Sequence, residues 1–277
     1  MVNNPIDRLS INQVTTRDQW SLVEAIDGYA RHGVTAMAVW ADKLREMGVG
    51  AAARRLRDAG MTVTGYCAGG DLTARDGVAA RRRIDENRRM IDEAAAIGSR
   101  CLVVIGGGLD ADDRDLPGAR ARALERVAEL VPHARAAGMT LALEPLHPMV
   151  CALRSVLTTL RQANDWCDAL DAGPTVGIAV DTYCVWWDPE LAAQIARAAG
   201  RIVAFHVADW LPDTCDLRLD RGMPGDGVVD IAAIRKMVEA TGYTGHHEVE
   251  IFSARNWWRR DPDEVVRVCV ERHARSV

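Results

Sequence analysis

Apolar residues along this chain fall into two alternating patterns. Short apolar runs bounded by glycine, proline or charge read as buried strands. They occupy residues 8–14, 34–40, 61–66, 101–105, 139–143, 176–180, 202–206 and 247–252. Between them the apolar positions recur at helical spacing, as with Trp20, Val23, Ile26 and Ala30 within 16–32. Similar patterns cover 42–59 (with Gly48 and Gly50 inside it), a long segment ending near 97, and then 117–137, 155–170, 189–199, 231–240 and 262–273. Gly33, Gly60, Gly98, Gly138, Gly173, Gly200 and Gly242 each stand between a helical pattern and the next strand, where glycine supplies a left-handed helix stop. Alternation of strand and helix predicts a parallel sheet. Eight such units predict a closed (β/α)8 TIM barrel, one α/β domain over residues 1–277, a fold that takes about 250 residues. An open doubly wound sheet is the alternative, but the early G-x-G-x-x-G turn is absent.

A barrel of this kind carries its chemistry at the C-terminal ends of its strands. The segments after the strands are here the longer and more unusual ones: 67–71, 106–115, 186–187, 210–227 and 257–258. Four late strands end in chemically capable residues: Glu144, Asp181, His206 and Glu250. A charge at the last step of a buried strand is unfavourable unless something pairs with it. Each of the four alone reads as an isolated buried polar group or a loop charge, whereas four at consecutive strand ends point to one centre. Three carboxylates and an imidazole suit a hard divalent ion such as Mn2+ or Mg2+, with Co2+ also fitting, and not a thiolate-rich zinc site. Glu248 and Glu250 share one strand face, being two residues apart. Glu250 is nearer the rim and is taken as the ligand. Glu248 is expected one layer deeper, paired with an arginine or histidine. His246 shares that face and His247 points to the helices.

Composition narrows the partners. The net charge is -5 and there is no basic block, which argues against nucleic acid. The arginines at 81–83, 88 and 89 are interrupted by Asp85 and Glu86 and read as a solvated helix face. Seven cysteines without CxxC spacing fit a reducing compartment, here the cytoplasm. The opening Met1-Val-Asn-Asn-Pro-Ile-Asp lacks the pattern of a secretory leader, and no run approaches the ~20 apolar residues of a membrane span. Eight tryptophans against two phenylalanines is a skewed aromatic set. Trp186, Trp187, Trp210, Trp257 and Trp258 follow the sixth, seventh and eighth predicted strands, where indoles either stack on apolar sugar faces or pack between loops. Gly106-Gly-Gly108 lacks the Walker pattern and reads as a simple loop, so a phosphorylated substrate is not assumed.

The motifs Leu-Glu-Pro-Leu-His-Pro at 143–148, Val-Asp-Thr-Tyr at 180–183, Phe-His-Val-Ala-Asp at 205–209, Arg-Gly-Met-Pro-Gly-Asp-Gly at 221–227 and Glu-Val-Glu-Ile-Phe at 248–252 stand in order along the second half. Together they resemble the sugar phosphate isomerase/epimerase group of the xylose-isomerase-like superfamily, which includes inosose isomerases and ketose 3-epimerases. The resemblance implies that Glu144, Asp181, His206 and Glu250 hold one divalent metal ion, Mn2+ foremost. It also implies that Glu144 and Glu250 act as acid and base on opposite sides of a sugar, and that Arg221 contacts substrate. Where the family often has Asp-x-x-His, this chain has Asp181-Thr-Tyr-Cys184. Cys184 therefore either packs as an inert small residue or lines the pocket, His147 is either a substitute donor or a loop cap, and Trp186 and Trp258 are expected to shape the sugar site. The implied activity is isomerisation or epimerisation of a small sugar, keto-sugar or inosose through a metal-stabilised enediolate. The alternative is a lyase on the same scaffold: a keto-cyclitol or dehydroshikimate-type dehydratase, or elimination from a 3-keto-glycoside. A DNA-repair endonuclease of the superfamily would want more histidines and a basic groove; a non-catalytic carbohydrate-binding subunit would not need the full ligand set. The expected partner is a small carbohydrate, with no nucleic acid and no membrane, and self-association is left open.

Overall fold

The structure, a computed structural model, describes residues 5–277; the first four residues of the segment read above as lacking a leader lie outside the described residues. Eight strands form it: β1 (Leu9–Asn12), β2 (Ala36–Trp40), β3 (Thr62–Gly70), β4 (Cys101–Ile105), β5 (Thr140–Leu143), β6 (Val176–Asp181), β7 (Ile202–Val207) and β8 (His247–Val249). They run in chain order around a closed barrel, every neighbour parallel, and β8 returns to β1 through Leu9–His247 and Ile11–Val249 pairing. The outer layer comprises α1 (Leu22–Arg31), α2 (Ala41–Met47), α3 (Val49–Asp58), α4 (Gly77–Ala96), α5 (Leu116–Ala136), α6 (Leu160–Leu170), the short α7 (Thr182–Val185), α8 (Leu191–Arg197), α9 (Ile231–Ala240) and α10 (Pro262–Ser276). Among the described residues no helix is long and apolar enough to cross a membrane.

Local chemistry sets these boundaries. Ser21 and Glu24 form a reciprocal capping box at α1, and Asp76, Asp115, Thr159, Asp230 and Asp261 cap α4, α5, α6, α9 and α10 through their side chains. The seven glycines expected to stop helices all have positive φ, from 59° at Gly173 to 91° at Gly242, but α6 is stopped earlier by left-handed Asp171 (φ 42°) and Gly173 opens the 3-10 turn that follows. Three elements depart from the sequence expectation. The segment after β1 is a buried 3-10 turn, Gln13–Thr16, led by the Asn12 side chain accepting from Val14 N, so α1 starts later than the periodicity implied. β3 runs on to Gly70 because the backbone there lies against β4; a Cβ at Gly70 would collide with the Ile105 carbonyl. The predicted helix at 155–170 begins only at Leu160. Ser155 Oγ accepts from Gly106 N at 3.1 Å and donates to Leu157 O at 2.9 Å, which holds the preceding stretch against its neighbours instead.

Alternation along the strands creates two cores. Leu141, Leu143, Ile178, Val180, Phe205 and Val207 point outward and pack under the helices. Inward-facing Cys101, Ala142, Ala179 and Ala204 make a small-residue layer inside the barrel. The next inward position on each of three strands is Glu144, Asp181 and His206 respectively, two residues on from Ala142, Ala179 and Ala204. Small residues beneath and polar residues above leave the barrel mouth free for a site.

Candidate metal centre and active-site cavity

The strand ends converge. Glu144 N still donates to Val104 O at 3.0 Å, and Glu250 N to Val207 O at 3.1 Å, so both carboxylates are fixed by strand-like backbone pairing just past β5 and β8. Glu144 Oε1 lies 2.7 Å from His206 Nδ1, and Glu250 Oε2 lies 3.9 Å from the same nitrogen. Donor atoms of Glu144, His206 and Glu250 all fall within 4.8 Å of one another, and all three residues are buried. Asp181 stands beside this triad. Its Oδ1 accepts from Tyr183 N at 3.0 Å, and its Oδ2 meets Arg221 Nη1 at 3.0 Å and Cys184 Sγ at 3.2 Å. Arg221 Nη1 also meets Glu250 Oε2 at 2.9 Å, bridging the sixth and eighth strand ends.

The electrostatics follow from crowding. Burial pushes the Glu250 carboxyl up to about 8, with Glu144 and Asp181 adding to the rise and Arg221 and His206 opposing it. Burial alone would lower the His206 proton affinity, but Glu248, Glu144 and Glu250 outweigh it and hold that imidazole well above its usual range. A buried set rich in carboxylate oxygens with one imidazole fits a divalent cation, which would relieve this like-charge crowding. Glu144, His206 and Glu250 would hold such an ion; Asp181, the fourth expected ligand, is not among the converging donors, its oxygens being engaged by Tyr183 N, Cys184 Sγ and Arg221 Nη1.

A second row supports the first. Glu248 sits one layer deeper, 3.5 Å from His206 Nε2, so its partner is a histidine as expected. Thr64 Oγ1 donates to Glu248 at 2.6 Å, and Asn12 Nδ2 donates to Glu248 at 2.8 Å and to Glu250 at 3.1 Å. The Asn12 oxygen accepts from Trp40 Nε1 at 2.7 Å and Val14 N at 3.1 Å, which fixes the amide's orientation. Sequence reasoning missed Asn12. Its only signal was an inward polar residue at the end of β1. His247 faces outward, with Nδ1 3.1 Å from His273 Nε2 of α10.

The carboxylates open into a cavity. Glu144, Glu250, Arg221, His147 and Cys184 line it, together with Trp40, Cys67, Ile105, Tyr183 and Phe252. Trp40, another residue absent from the sequence reading, packs edge-on to Phe252 at 5.6 Å. Trp186 and Trp258 are not among the lining residues. Trp186 packs on Trp210 at 5.8 Å, and Trp258 donates its Nε1 to Val14 O at 2.8 Å. His147 Nδ1 accepts from Met149 N at 3.2 Å, which leaves Nε2 to carry the ring proton. Burial lowers the His147 proton affinity and keeps that ring neutral. Burial, followed by Asp181, raises the Cys184 thiol well above its normal value, so it remains a thiol.

Comparison with known proteins agrees with this architecture. Residues 26–268 match the family described as the xylose isomerase-like TIM barrel. Protein SMc04130 of Sinorhizobium meliloti 1021 is 49% identical, with a TM-score of 0.96 and 98% of each chain covered. The L-ribulose 3-epimerase of Mesorhizobium japonicum is 28% identical over 219 residues, 76% of this chain and 68% of that protein. The L-ribulose-5-phosphate 3-epimerase UlaE of Salmonella typhi is 26% identical over 187 residues, 66% of this chain and 60% of that protein, so the chain matches only part of that relative's length. Both of these curated relatives are named as 3-epimerases of L-ribulose or its 5-phosphate, and the chain belongs to the xylose isomerase-like TIM-barrel family.

Proposed function

We propose that the protein is a divalent-metal-dependent epimerase or isomerase of a small keto-sugar, with Glu144 and Glu250 as its acid–base pair. The observation that carries the reading is the convergence of Glu144, His206 and Glu250 donor atoms within 4.8 Å at the mouth of a closed barrel. The relatives named above as acting on L-ribulose and its 5-phosphate support a keto-sugar as substrate. A bound divalent ion, Mn2+ foremost, would supply positive charge that stabilises a developing oxyanion next to the reacting carbon.

The chain's own groups supply the rest. Glu144 and Glu250 come from β5 and β8, on different sides of His206, so one carboxylate can take a carbon-bound proton while the other returns one. Return to the opposite face inverts a stereocentre; return to the neighbouring carbon moves the carbonyl. Arg221 holds Asp181 and Glu250 in place through two ion pairs. His147 offers a neutral Nε2–H to a substrate hydroxyl, and Trp40 and Phe252 form an apolar wall that limits water.

The test begins with elemental analysis, chelation and reactivation by Mn2+, Co2+ or Mg2+, followed by a keto-sugar and inosose panel in D2O monitored by NMR. Deuterium at the carbon next to the carbonyl, with substrate mass otherwise conserved, is the expected result. Metal-loaded Glu144→Gln and Glu250→Gln are expected to lose at least ~10²-fold in rate. Full activity without metal would overturn the reading. Loss of water or release of an aglycone would move the assignment to a lyase.

A further inference from the structure

Two arginines in the cavity wall lack an anion. Arg154 lies in the loop between β5 and α6 and Arg218 in the loop between β7 and α9, and both line the cavity that Glu144, Glu250 and Arg221 share. Four other arginines on this face are matched with carboxylates: Arg221 with Asp181 and Glu250, Arg17 with Asp42, Arg45 with Glu86 and Glu93, and Arg83 with Asp71. Among the described residues no carboxylate oxygen lies within 4.0 Å of the Arg154 or Arg218 guanidinium, and neither group donates a hydrogen bond. Asp216 takes the backbone N–H of Arg218 at 2.8 Å and forms no ion pair with its side chain.

The setting of Arg154 makes this informative. Its neighbours Ala152 and Leu153 are exposed, Leu153 at 81%, so the backbone runs at the surface. The Arg154 side chain is nonetheless half-buried in the cavity wall instead of extending into water. Burial disfavours its charge, and Arg218 and Arg221 add repulsion; Glu144 offsets part of this, but Glu144 already serves His206. Guanidinium groups present forked donors that match phosphate and carboxylate oxygens. We propose that the cavity takes a substrate with an anionic terminus, a phosphate or a carboxylate, seated on Arg154 and Arg218 while its carbonyl end meets Glu144 and Glu250. The proposal rests on the reading of this cavity as the sugar site and narrows its substrate class.

The experiment uses the metal-loaded full chain and three probes: a neutral ketopentose, its 5-phosphate, and a ketohexuronate. Binding is measured by calorimetry and turnover by deuterium exchange. At least one anionic probe is expected to bind about tenfold or more tightly than the neutral one, as the loss or gain of one charge-assisted hydrogen bond implies. That preference is expected to weaken with added salt. Arg154→Ala and Arg218→Ala should each shrink the ratio, the double variant should bring it near unity, and Arg154→Lys should keep part of it. Metal content and circular dichroism of each variant establish that the barrel is intact. The two anionic probes separate phosphate from carboxylate. Equal binding of neutral and anionic probes by the wild type, or a preference that survives the double variant, overturns the proposal. Arginine-dependent binding of an anionic sugar without deuterium exchange would uphold the anion subsite and sink the epimerase reading. Exchange on all three probes with equal affinities would do the reverse.

Discussion

The side-chain amide of Asn12, at the end of β1, donates to Glu250, just past β8, at 3.1 Å. This bond ties the first strand to the last at the level of the converging carboxylates, and the same nitrogen reaches Glu248 at 2.8 Å. Asn12→Ala would leave Trp40 Nε1 and Val14 N without their acceptor and take one donor from each of Glu248 and Glu250. A buried group stripped of its partner costs about 1–3 kcal/mol. The expected outcome is that loss in urea unfolding, together with a fall of about 10–100-fold in metal affinity, the usual effect of removing a group that orients a ligand. Metal titration and equilibrium unfolding check the two separately. Unchanged metal affinity would reduce Asn12 to a support of the fold.

The cysteines should sort by reactivity. Cys184 is buried, and burial with the neighbouring Asp181 keeps it protonated, whereas Cys215 is exposed. Brief alkylation of the native protein at neutral pH should therefore label Cys215 and spare Cys184, as read by peptide mass spectrometry. Cys184→Ala should leave the exchange rate close to wild type, because the thiol serves as a small packing group against Asp181. A clear shift in rate or sugar preference would instead give Cys184 a part in substrate binding.

Acid sensitivity should have a contribution from the outer face of β8. Burial, then the positive charge of Arg8, depresses His247 to about 3 and His273 to about 4. Both values lie below the unfolded value of about 6.5, so the unfolded chain binds more protons between those limits. The stability these two groups contribute is complete above about pH 6.5 and is lost as pH falls toward their folded values. Two such groups give a slope of up to roughly 2.7 kcal/mol per pH unit. His273→Leu should remove about half of that contribution, visible as a flatter dependence of the urea midpoint on pH between 6.5 and 4.5. An unaltered slope would show that His273 is not a source of the acid loss.

What the sequence made legible and what it hid have a common physical basis. The inward positions of β5, β6 and β7 were readable because a strand repeats every two residues, so a polar residue two steps beyond a buried alanine must face the barrel axis. The helix stops were readable because positive φ favours glycine locally. Asn12 was hidden because its partners Glu248 and Glu250 are more than two hundred residues away and no local pattern encodes that meeting. The departure at 155–159 has the same origin: Ser155 bonds to Gly106 across the loop, and this tertiary contact overrides a helical pattern. Trp186 and Trp258 were placed correctly along the chain, but the direction of each ring depends on Trp210 and on the Val14 carbonyl, which sequence spacing does not reveal.

The barrel also divides its labour between the two halves of the chain. Glu144, Asp181, His206 and Glu250 all come from β5 onward, whereas Trp40, Cys67 and Ile105 of β2, β3 and β4 supply the facing wall. The first four strands thus contribute one wall of the cavity, while the converging carboxylates and the cavity arginines Arg154, Arg218 and Arg221 all lie in the second half. A chimera that takes its first four strands from a relative would exchange the Trp40, Cys67 and Ile105 wall and keep the carboxylates and arginines that face it. Asn12 is the residue such a graft must carry across, since it is the first half's anchor on Glu250.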